Sequence, residues 1–313
     1  MQLPALLTAA SLALALSPAS AYLLYDGQPK WGEHSAGTAA VVTWSLMPEG
    51  TGVVRSPDSP PFLFEDFWQG TSQLAAVWAQ LAPDPEVGRQ RFADALQAAF
   101  NTWSAAANLQ FVQVADDGSP IGFTGPTAGR VGDIRIGAYG FLSPFDAIAA
   151  HTFEPPGGTS ALADYWASTD QQSDWGDVNL NAMAYFSSFE GLLEGDPTGG
   201  FPNDLQGLLT HEIGHALGLA HPEDDPNSTL TDAERASIMY VGPGCCDLLH
   251  RQLGSDDIAA LQTLYGVSPV PEPQTGWLAG VGAALLITLG RRQRRSERAD
   301  RVDRVDRSAP PAP

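Results

Sequence analysis

Basic residues are scarce in this sequence, and half of them lie in one short stretch. Lys and Arg total 16 against 36 Asp and Glu, and eight of the 16 occupy the last 23 positions. Residues 22–270 therefore contain 8 basic and 31 acidic residues, a net charge of −23. Such a charge repels phosphate backbones and suits solubility or divalent cations. We expect no binding to nucleic acid.

The sequence also lacks internal repeats and the composition of a disordered chain. Hydrophobic residues make up 43% of it, close to the average for a chain that buries a core. The length of 313 residues permits one large domain or two ordinary ones, and 32 Gly with 25 Pro indicate many loops. We expect a loop-rich globular protein.

The first 21 residues have the pattern of a signal peptide. An apolar run ends in Ala19-Ser20-Ala21, which is a small-x-small cleavage signal. The pattern predicts export, with Tyr22 as the new N-terminus. Because no Lys or Arg precedes the apolar run, a short hydrophobic anchor is the alternative.

The C-terminal region has the pattern of a sorting signal. Val270-Pro271-Glu272-Pro273 precedes an apolar stretch over residues 276–290, and an arginine cluster follows at 291–295. Fifteen helical residues span about 22 Å, short of a hydrocarbon core of roughly 30 Å. The Pro-Glu-Pro triplet, the short apolar stretch and the arginine cluster together resemble the PEP-CTERM signal of Gram-negative bacteria.

That resemblance implies transient anchoring in the inner membrane through a short transmembrane helix. It also implies processing by exosortase-type machinery and delivery to the cell surface or extracellular matrix. We therefore predict a sorting signal over residues 269–295 and a charged, disordered tail over 296–313. A simple tail anchor is the alternative.

Residues 22–268 are predicted to form a single domain of mixed α/β layers, in the α+β class. Apolar residues at three- and four-residue spacing predict an amphipathic helix over residues 89–106. Residues 48–88 are predicted to form a long loop with some helix. The predicted strands cover residues 41–46, 109–114, 133–137 and 177–181. This order of elements favours helices layered on a sheet.

The chemistry is concentrated in residues 208–221. On a helix, His211 and His215 lie at positions i and i+4 of one face and can present two imidazole nitrogens to one metal ion. Glu212 then lies beside the open coordination position. Gly218 is the expected end of the helix, and the reversal there can bring His221 back as a third ligand.

This arrangement predicts a hydrolytic zinc site. Three neutral imidazoles leave the full charge on the ion, which lowers the pKa of a bound water towards about 7. Glu212 can then take a proton as the water attacks a peptide carbonyl, and can later protonate the leaving amine. We expect oxyanion stabilisation to come largely from the zinc itself.

Residues 30–267 resemble the metzincin zinc endopeptidases, and within them the matrixins. Apart from the histidine motif, the matching segments are Lys30-Trp31-Gly32, Phe100-Asn101-Thr102-Trp103, Gly132-Asp133-Ile134-Arg135-Ile136-Gly137, Ser237-Ile238-Met239-Tyr240 and the run over 256–266. The resemblance implies a twisted, mostly parallel sheet with two long helices above a cleft. It also implies a small C-terminal subdomain in which Met239 forms a methionine turn beneath the metal.

The resemblance further implies a protein or peptide substrate bound in extended form along an edge strand. We place that strand at residues 177–182, with Asn179, Leu180 and Asn181 as substrate contacts. Asn179 and Asn181 stand where the family has ligands of a second zinc, so we expect one catalytic zinc and no structural zinc. Calcium bound through Asp146 is an open possibility. We interpret His151 as a hydrogen-bonded loop residue, and His34 and His250 as surface residues.

Matrixin proenzymes often block their zinc with a propeptide cysteine, but no cysteine precedes Cys245 in this sequence. We therefore expect no cysteine switch. Cys245 and Cys246 are adjacent, so a disulfide between them would be strained. Free thiols, a loop-rigidifying bond and redox gating of the neighbouring pocket are the alternatives.

Our interpretation is a secreted or surface-sorted zinc endopeptidase that acts as a monomer. Two alternatives are a catalytically silent surface or matrix protein on the same fold, and a metallohydrolase of non-peptide substrates. Glu212 argues against the silent protein, because a binding module has no evident use for a general base.

Overall fold

The structure is a computed structural model that describes residues 22–53, 68–121, 131–141, 149–156, 175–187, 203–225, 229–241 and 251–268. The chain divides into two compact units, Met1–Ser268 and Pro269–Pro313. Several predicted features lie outside the described residues: the signal peptide over 1–21, Asp146, Cys245, Cys246, His250, the sorting signal over 269–295 and the tail over 296–313.

Eight strands and five α-helices make up the described part of the chain. The strands are β1 (Ala40–Leu46), β2 (Trp68–Gln69), β3 (Leu109–Gln113), β4 (Ile134–Phe141), β5 (Ala150–Thr152), β6 (Val178–Asn181), β7 (Phe186–Ser187) and β8 (Asn203–Asp204). The helices are α1 (Leu74–Leu81), α2 (Pro85–Ala106), α3 (Leu205–Ala216), α4 (Asp232–Arg235) and α5 (Ser255–Tyr265). A 3-10 turn at Pro222–Asp224 follows α3.

The main sheet is mostly parallel and has one antiparallel edge. Its strand order is β3-β1-β4-β6-β5, and β2 pairs with the end of β4. The neighbours from β3 to β6 are parallel, whereas β5 runs antiparallel to β6 with Thr152 opposite Val178. The mixed α/β class with a mostly parallel sheet is therefore confirmed.

Helix α2 supplies much of the core between sheet and helices. It begins at Pro85, one turn before the predicted start, because the Asp84 carboxylate accepts hydrogen bonds from the backbone of Glu86 and Val87. Its buried side chains include the predicted stripe: Phe92, Leu96, Ala99, Phe100 and Trp103. Strand β4 is longer than predicted and continues to Phe141.

Helix α3 carries the histidine motif and is buried along most of its length. It packs against α2, and the Trp103 indole donates a hydrogen bond of 2.8 Å to the carbonyl of Thr210. At Gly214 the helix comes so close to its neighbours that a Cβ would lie 2.9 Å from the Trp103 ring and nearer still to Met239 Sδ. The absent side chain at Gly214 therefore permits the packing that holds α3.

The prediction that residues 177–182 form the edge of the sheet is wrong. Strand β6 lies between β4 and β5, and Asn179, Leu180 and Asn181 are fully buried there. The edge is β5, and His151 belongs to that strand and not to a loop. Within the part of the chain that the structure describes, no helix has the length and apolar character to cross a membrane.

Candidate active site

Three imidazole rings converge at the C-terminal end of α3. The Nε2 atom of His215 lies 3.1 Å from that of His211 and 3.0 Å from that of His221. The third distance, between His211 and His221, is 3.2 Å. Each of the three predicted ligands therefore presents the same nitrogen to one point.

The other nitrogen of each ring faces an oxygen. Nδ1 of His211 lies 2.8 Å from the carbonyl oxygen of Ile238, and Nδ1 of His215 lies 2.9 Å from that of Leu219. Nδ1 of His221 lies 3.2 Å from a carboxylate oxygen of Asp224. A ring that donates its Nδ1–H to such an oxygen has its Nε2 lone pair available for a metal ion.

The spacing of these atoms fits a zinc ion. A tetrahedral site with Zn–N bonds of 2.0–2.1 Å separates its ligand nitrogens by about 3.3 Å, close to the separations between the three Nε2 atoms. Burial and the neighbouring His211 lower the pKa of His215 and His221. Both rings are therefore neutral at neutral pH, which is the form that binds metal.

The reversal that brings His221 into the site depends on Gly218. Its φ of +103° is rarely adopted by residues with a side chain, and a Cβ there would overlap the carbonyl oxygen of Pro29. The backbone of Leu217 and Leu219 donates to the carbonyl of Gly214, which closes the end of the helix. The expected role of Gly218 is thus confirmed by its backbone conformation.

Glu212 is buried beside the three imidazoles. Its side chain is 5% exposed, and Oε2 accepts a hydrogen bond of 2.6 Å from Thr152 Oγ1. Burial raises the pKa of Glu212, while His211 and the Thr152 hydroxyl oppose that rise. A carboxyl group whose pKa is raised towards neutrality is suited to both accepting and returning a proton.

Met239 lies in a turn held by a buried carboxylate. Asp257 Oδ2 accepts hydrogen bonds from the backbone N–H of Ile238 at 2.8 Å and of Gly254 at 2.7 Å, and Ser237 Oγ donates to Oδ1. The Met239 side chain is buried against Gly214 of α3. The turn therefore supports the helix that carries His211 and also holds the Ile238 carbonyl facing that ring.

The segment at Tyr22–Tyr25 is also built into the site, which was not predicted from the sequence. The carbonyl of Leu23 accepts from Ala220 N at 3.0 Å, and Tyr25 N donates to the carbonyl of Gly218 at 3.2 Å. Tyr25 Oη lies 3.0 Å from Nδ1 of His215. These contacts join residues about 190 positions apart, so no local sequence signal reveals them.

Thr152 and Asp224 are the other residues that sequence reasoning missed. Thr152 contacts Glu212 across 60 positions of sequence, and its position in an edge strand depends on the strand order. Asp224 lies only three residues after His221, close enough in sequence for a direct contact. The contact between this carboxylate and His221 could therefore have been predicted from the sequence. His151 is outside the triad, and burial lowers its pKa to about 4.

Comparisons with known proteins agree with this geometry. The profile of the matrixin family of peptidases matches residues 68–266. Human neutrophil collagenase is 25% identical over 237 residues, which are 74% of this chain and 38% of the relative. Metalloendoproteinase 1 of Glycine max is 28% identical over 205 residues, or 64% of this chain and 53% of the relative.

A third relative, macrophage metalloelastase of Oryctolagus cuniculus, is 29% identical over 200 residues, or 60% of this chain and 33% of the relative. The matched regions thus cover between a third and about half of these three relatives.

Proposed function

The chain belongs to the matrixin family, and on that premise we propose that it is a zinc-dependent endopeptidase. The observation that carries the proposal is the convergence of three Nε2 atoms, 3.0–3.2 Å apart, beside a buried carboxylate. His211, His215 and His221 would hold the zinc ion. Family membership implies zinc, and the spacing of the three nitrogens fits it.

In this proposal zinc, when bound, supplies a Lewis acid that polarises the scissile carbonyl and acidifies a water molecule. Glu212 accepts a proton from the attacking water and returns it to the departing amine. Its burial excludes bulk water from the carboxylate. The Nδ1 contacts to oxygen keep the three rings oriented while the chemistry takes place.

We place the substrate on β5, the antiparallel edge of the sheet. Among the described strands β5 has one neighbour, β6, and in this proposal an extended peptide pairs along the opposite side of β5. Because β5 contains Thr152, which contacts Glu212, a peptide on this edge would pass close to the proposed base. This assignment replaces the one at Asn179, Leu180 and Asn181.

We also propose export and surface sorting, from the patterns at the two ends of the sequence. The Ala19-Ser20-Ala21 signal supports cleavage before Tyr22, and the Pro-Glu-Pro triplet with its apolar stretch and arginines supports sorting. Mass spectrometry of the protein isolated from its natural source would test both, because the two processed termini would be read directly.

The main proposal is tested with the purified chain, a broad set of unfolded protein substrates, and zinc content measured on the same sample. We expect close to one equivalent of zinc and peptide-bond cleavage. Glu212→Gln preserves the size of the side chain but removes the base. It should retain zinc while kcat falls about 100-fold to 10,000-fold, the usual contribution of general acid–base catalysis.

A matched pair of histidine variants separates ligand loss from other effects. His221→Ala should lose zinc, whereas His34→Ala changes an exposed histidine that lies outside the triad and should retain it. Absence of zinc from the wild-type protein would refute the proposal. Zinc without cleavage of any protein or peptide would leave the catalytically silent protein and the non-peptide metallohydrolase, and assays with ester and sugar substrates would distinguish these two.

A further inference from the structure

Thr152 lies in β5, the edge strand on which we place the substrate, and it contacts the proposed base, Glu212. It ends β5, and its hydroxyl lies 2.6 Å from Oε2 of Glu212. Because an ionised carboxylate only accepts hydrogen bonds, Thr152 Oγ1 is the donor. A hydroxyl–carboxylate bond of this length falls in the range of charge-assisted hydrogen bonds, which are stronger than neutral ones.

We propose that Thr152 is a positioning residue that holds the Glu212 carboxylate in its working orientation. The inference rests on the proposed peptidase function and deepens it. In this inference the Thr152 side chain aligns Glu212 with β5, the strand on which the substrate would lie.

The placement of Thr152 is itself rigid. Its backbone is paired with Val178 of β6, its side chain is 8% exposed, and β5 packs against α3. Side chains alternate between the two faces of a strand, so Thr152 and the neighbouring His151 project to opposite sides of β5. The Thr152 hydroxyl is thus directed at α3 by the sheet and does not depend on a mobile loop.

The hydrogen bond is compatible with both protonation states of Glu212. Because Thr152 contacts Oε2, the other oxygen, Oε1, can take the proton. A protonated Oε1 leaves Oε2 an acceptor, so the bond from Thr152 persists through the proton transfer. No side chain then has to reorient between accepting the proton and returning it, which is the advantage of a preorganised site.

A purely structural role is the competing explanation. A buried carboxylate requires a hydrogen-bond partner. Among the described residues, Thr152 supplies that partner to Glu212 through its side chain. In that case the loss of the hydroxyl would destabilise the fold or expel zinc, and it would not act selectively on turnover.

The test compares Thr152→Val, which removes the hydroxyl while keeping the shape, with Thr152→Ser, which keeps the hydroxyl. Thr102→Val is the control for the same chemical change at a threonine that does not contact Glu212, because the Thr102 hydroxyl donates to the Ala98 carbonyl of its own helix. The readouts are kcat and KM for one peptide, zinc content, and the midpoint of thermal unfolding.

We expect Thr152→Val to lower kcat about tenfold to 100-fold, a part of what a general base contributes, with KM changed by less than about twofold. Zinc content should not change. Thr152→Ser should restore kcat to within about threefold of the wild type, and Thr102→Val should match the wild type.

Three results for Thr152→Val would overturn this inference while leaving the peptidase proposal intact. They are an unchanged kcat in Thr152→Val, a defect that lies in KM alone, and a loss of kcat that follows a loss of zinc. A Thr152→Ser variant as impaired as Thr152→Val would overturn it also. Zinc-loaded wild type that cleaves no peptide would overturn both proposals together.

Discussion

The Nδ1 atoms of the three imidazoles face different sets of oxygen atoms. The orientation of each ring therefore depends on different neighbouring residues. His211 faces a backbone carbonyl of the methionine turn, and His221 faces the carboxylate of Asp224. His215 faces the carbonyl of Leu219 and the hydroxyl of Tyr25. The partners of a ligand ring fix its orientation and basicity, so changes there alter metal affinity.

Removing the Tyr25 hydroxyl should weaken zinc binding without unfolding the protein. Tyr25→Phe leaves His215 one oxygen partner, the Leu219 carbonyl, in place of two. We expect zinc affinity to fall about tenfold, the lower end of the effect of changing an outer-shell partner. Competition with a chromogenic zinc chelator measures the change.

Tyr22→Phe is the matched control for this prediction. Tyr22 belongs to the same segment, but its hydroxyl contacts Thr263 at 2.6 Å and no histidine. Equal zinc affinities in the two variants would show that the Tyr25 hydroxyl contributes nothing to metal binding.

Helix α3 is closely packed on several sides. Residues 207–216 are all buried, and the helix is enclosed by Trp103 on one side and the methionine turn on another. Its N-terminal end is capped by Asp204, which also pairs with Arg251. The helix is thus held at both ends and along its length, as a rigid support for two of the proposed metal ligands should be.

A methyl group at Gly214 should destabilise the whole domain. In an exposed helix, Gly→Ala stabilises by up to about 1 kcal/mol, but here the Cβ would meet Met239 Sδ and, at 2.9 Å, the Trp103 ring. We expect Gly214→Ala to lower the free energy of unfolding by about 2 kcal/mol, within the usual cost of overpacking. Urea denaturation of the metal-free protein measures this without a contribution from zinc.

Gly52→Ala serves as its control, since a Cβ at Gly52 has no atom within 4 Å and the residue has no left-handed backbone. Should both variants unfold at the same urea concentration, the close packing of Gly214 against Met239 would have no energetic consequence.

Across the whole molecule, metal binding and folding are expected to be coupled. The three histidines meet only when α3, the following turn and the methionine turn are in place. Zinc that binds the folded state alone stabilises it, by about 4 kcal/mol when free zinc exceeds the dissociation constant 1,000-fold. Chelation by EDTA should therefore lower Tm, as scanning calorimetry would show.

His221→Ala distinguishes this coupling from a general effect of the chelator. Its Tm should already be lower and should not respond to EDTA. If the wild-type Tm were unchanged by EDTA while zinc was removed, the metal site would be independent of global stability.

Much of the fold was predictable because its signals are local. The stripe on α2 recurs at helical spacing, and apolar residues alternate with other residues along strands such as β3, so α2, β1, β3, β4 and β6 were identified within a few residues. The edge of the sheet was not, because β5 is three residues long and strand order depends on pairings between distant segments. The residues of β6 alone do not indicate whether this strand lies in the interior or at the edge of the sheet.

The candidate site divides in the same way. The three histidines, Glu212 and Gly218 lie within eleven residues. Helical spacing predicts that His211 and His215 meet, and the chain reversal expected at Gly218 predicts that His221 joins them. The supporting contacts of Tyr25 and Thr152 cross 190 and 60 positions respectively. Their side chains reach the site only through tertiary packing, which a local pattern does not contain.

The pairing of the Tyr22–Tyr25 segment with the turn after α3 imposes an order on biosynthesis. A ribosome that has released the chain as far as residue 200 has produced the sheet strands β1 to β7 but none of the three histidines. The partners of the N-terminal segment, Gly218, Ala220 and Thr263, are synthesised after these strands. Completion of the three-histidine site therefore requires most of the domain, so a translation product truncated before residue 221 lacks that site.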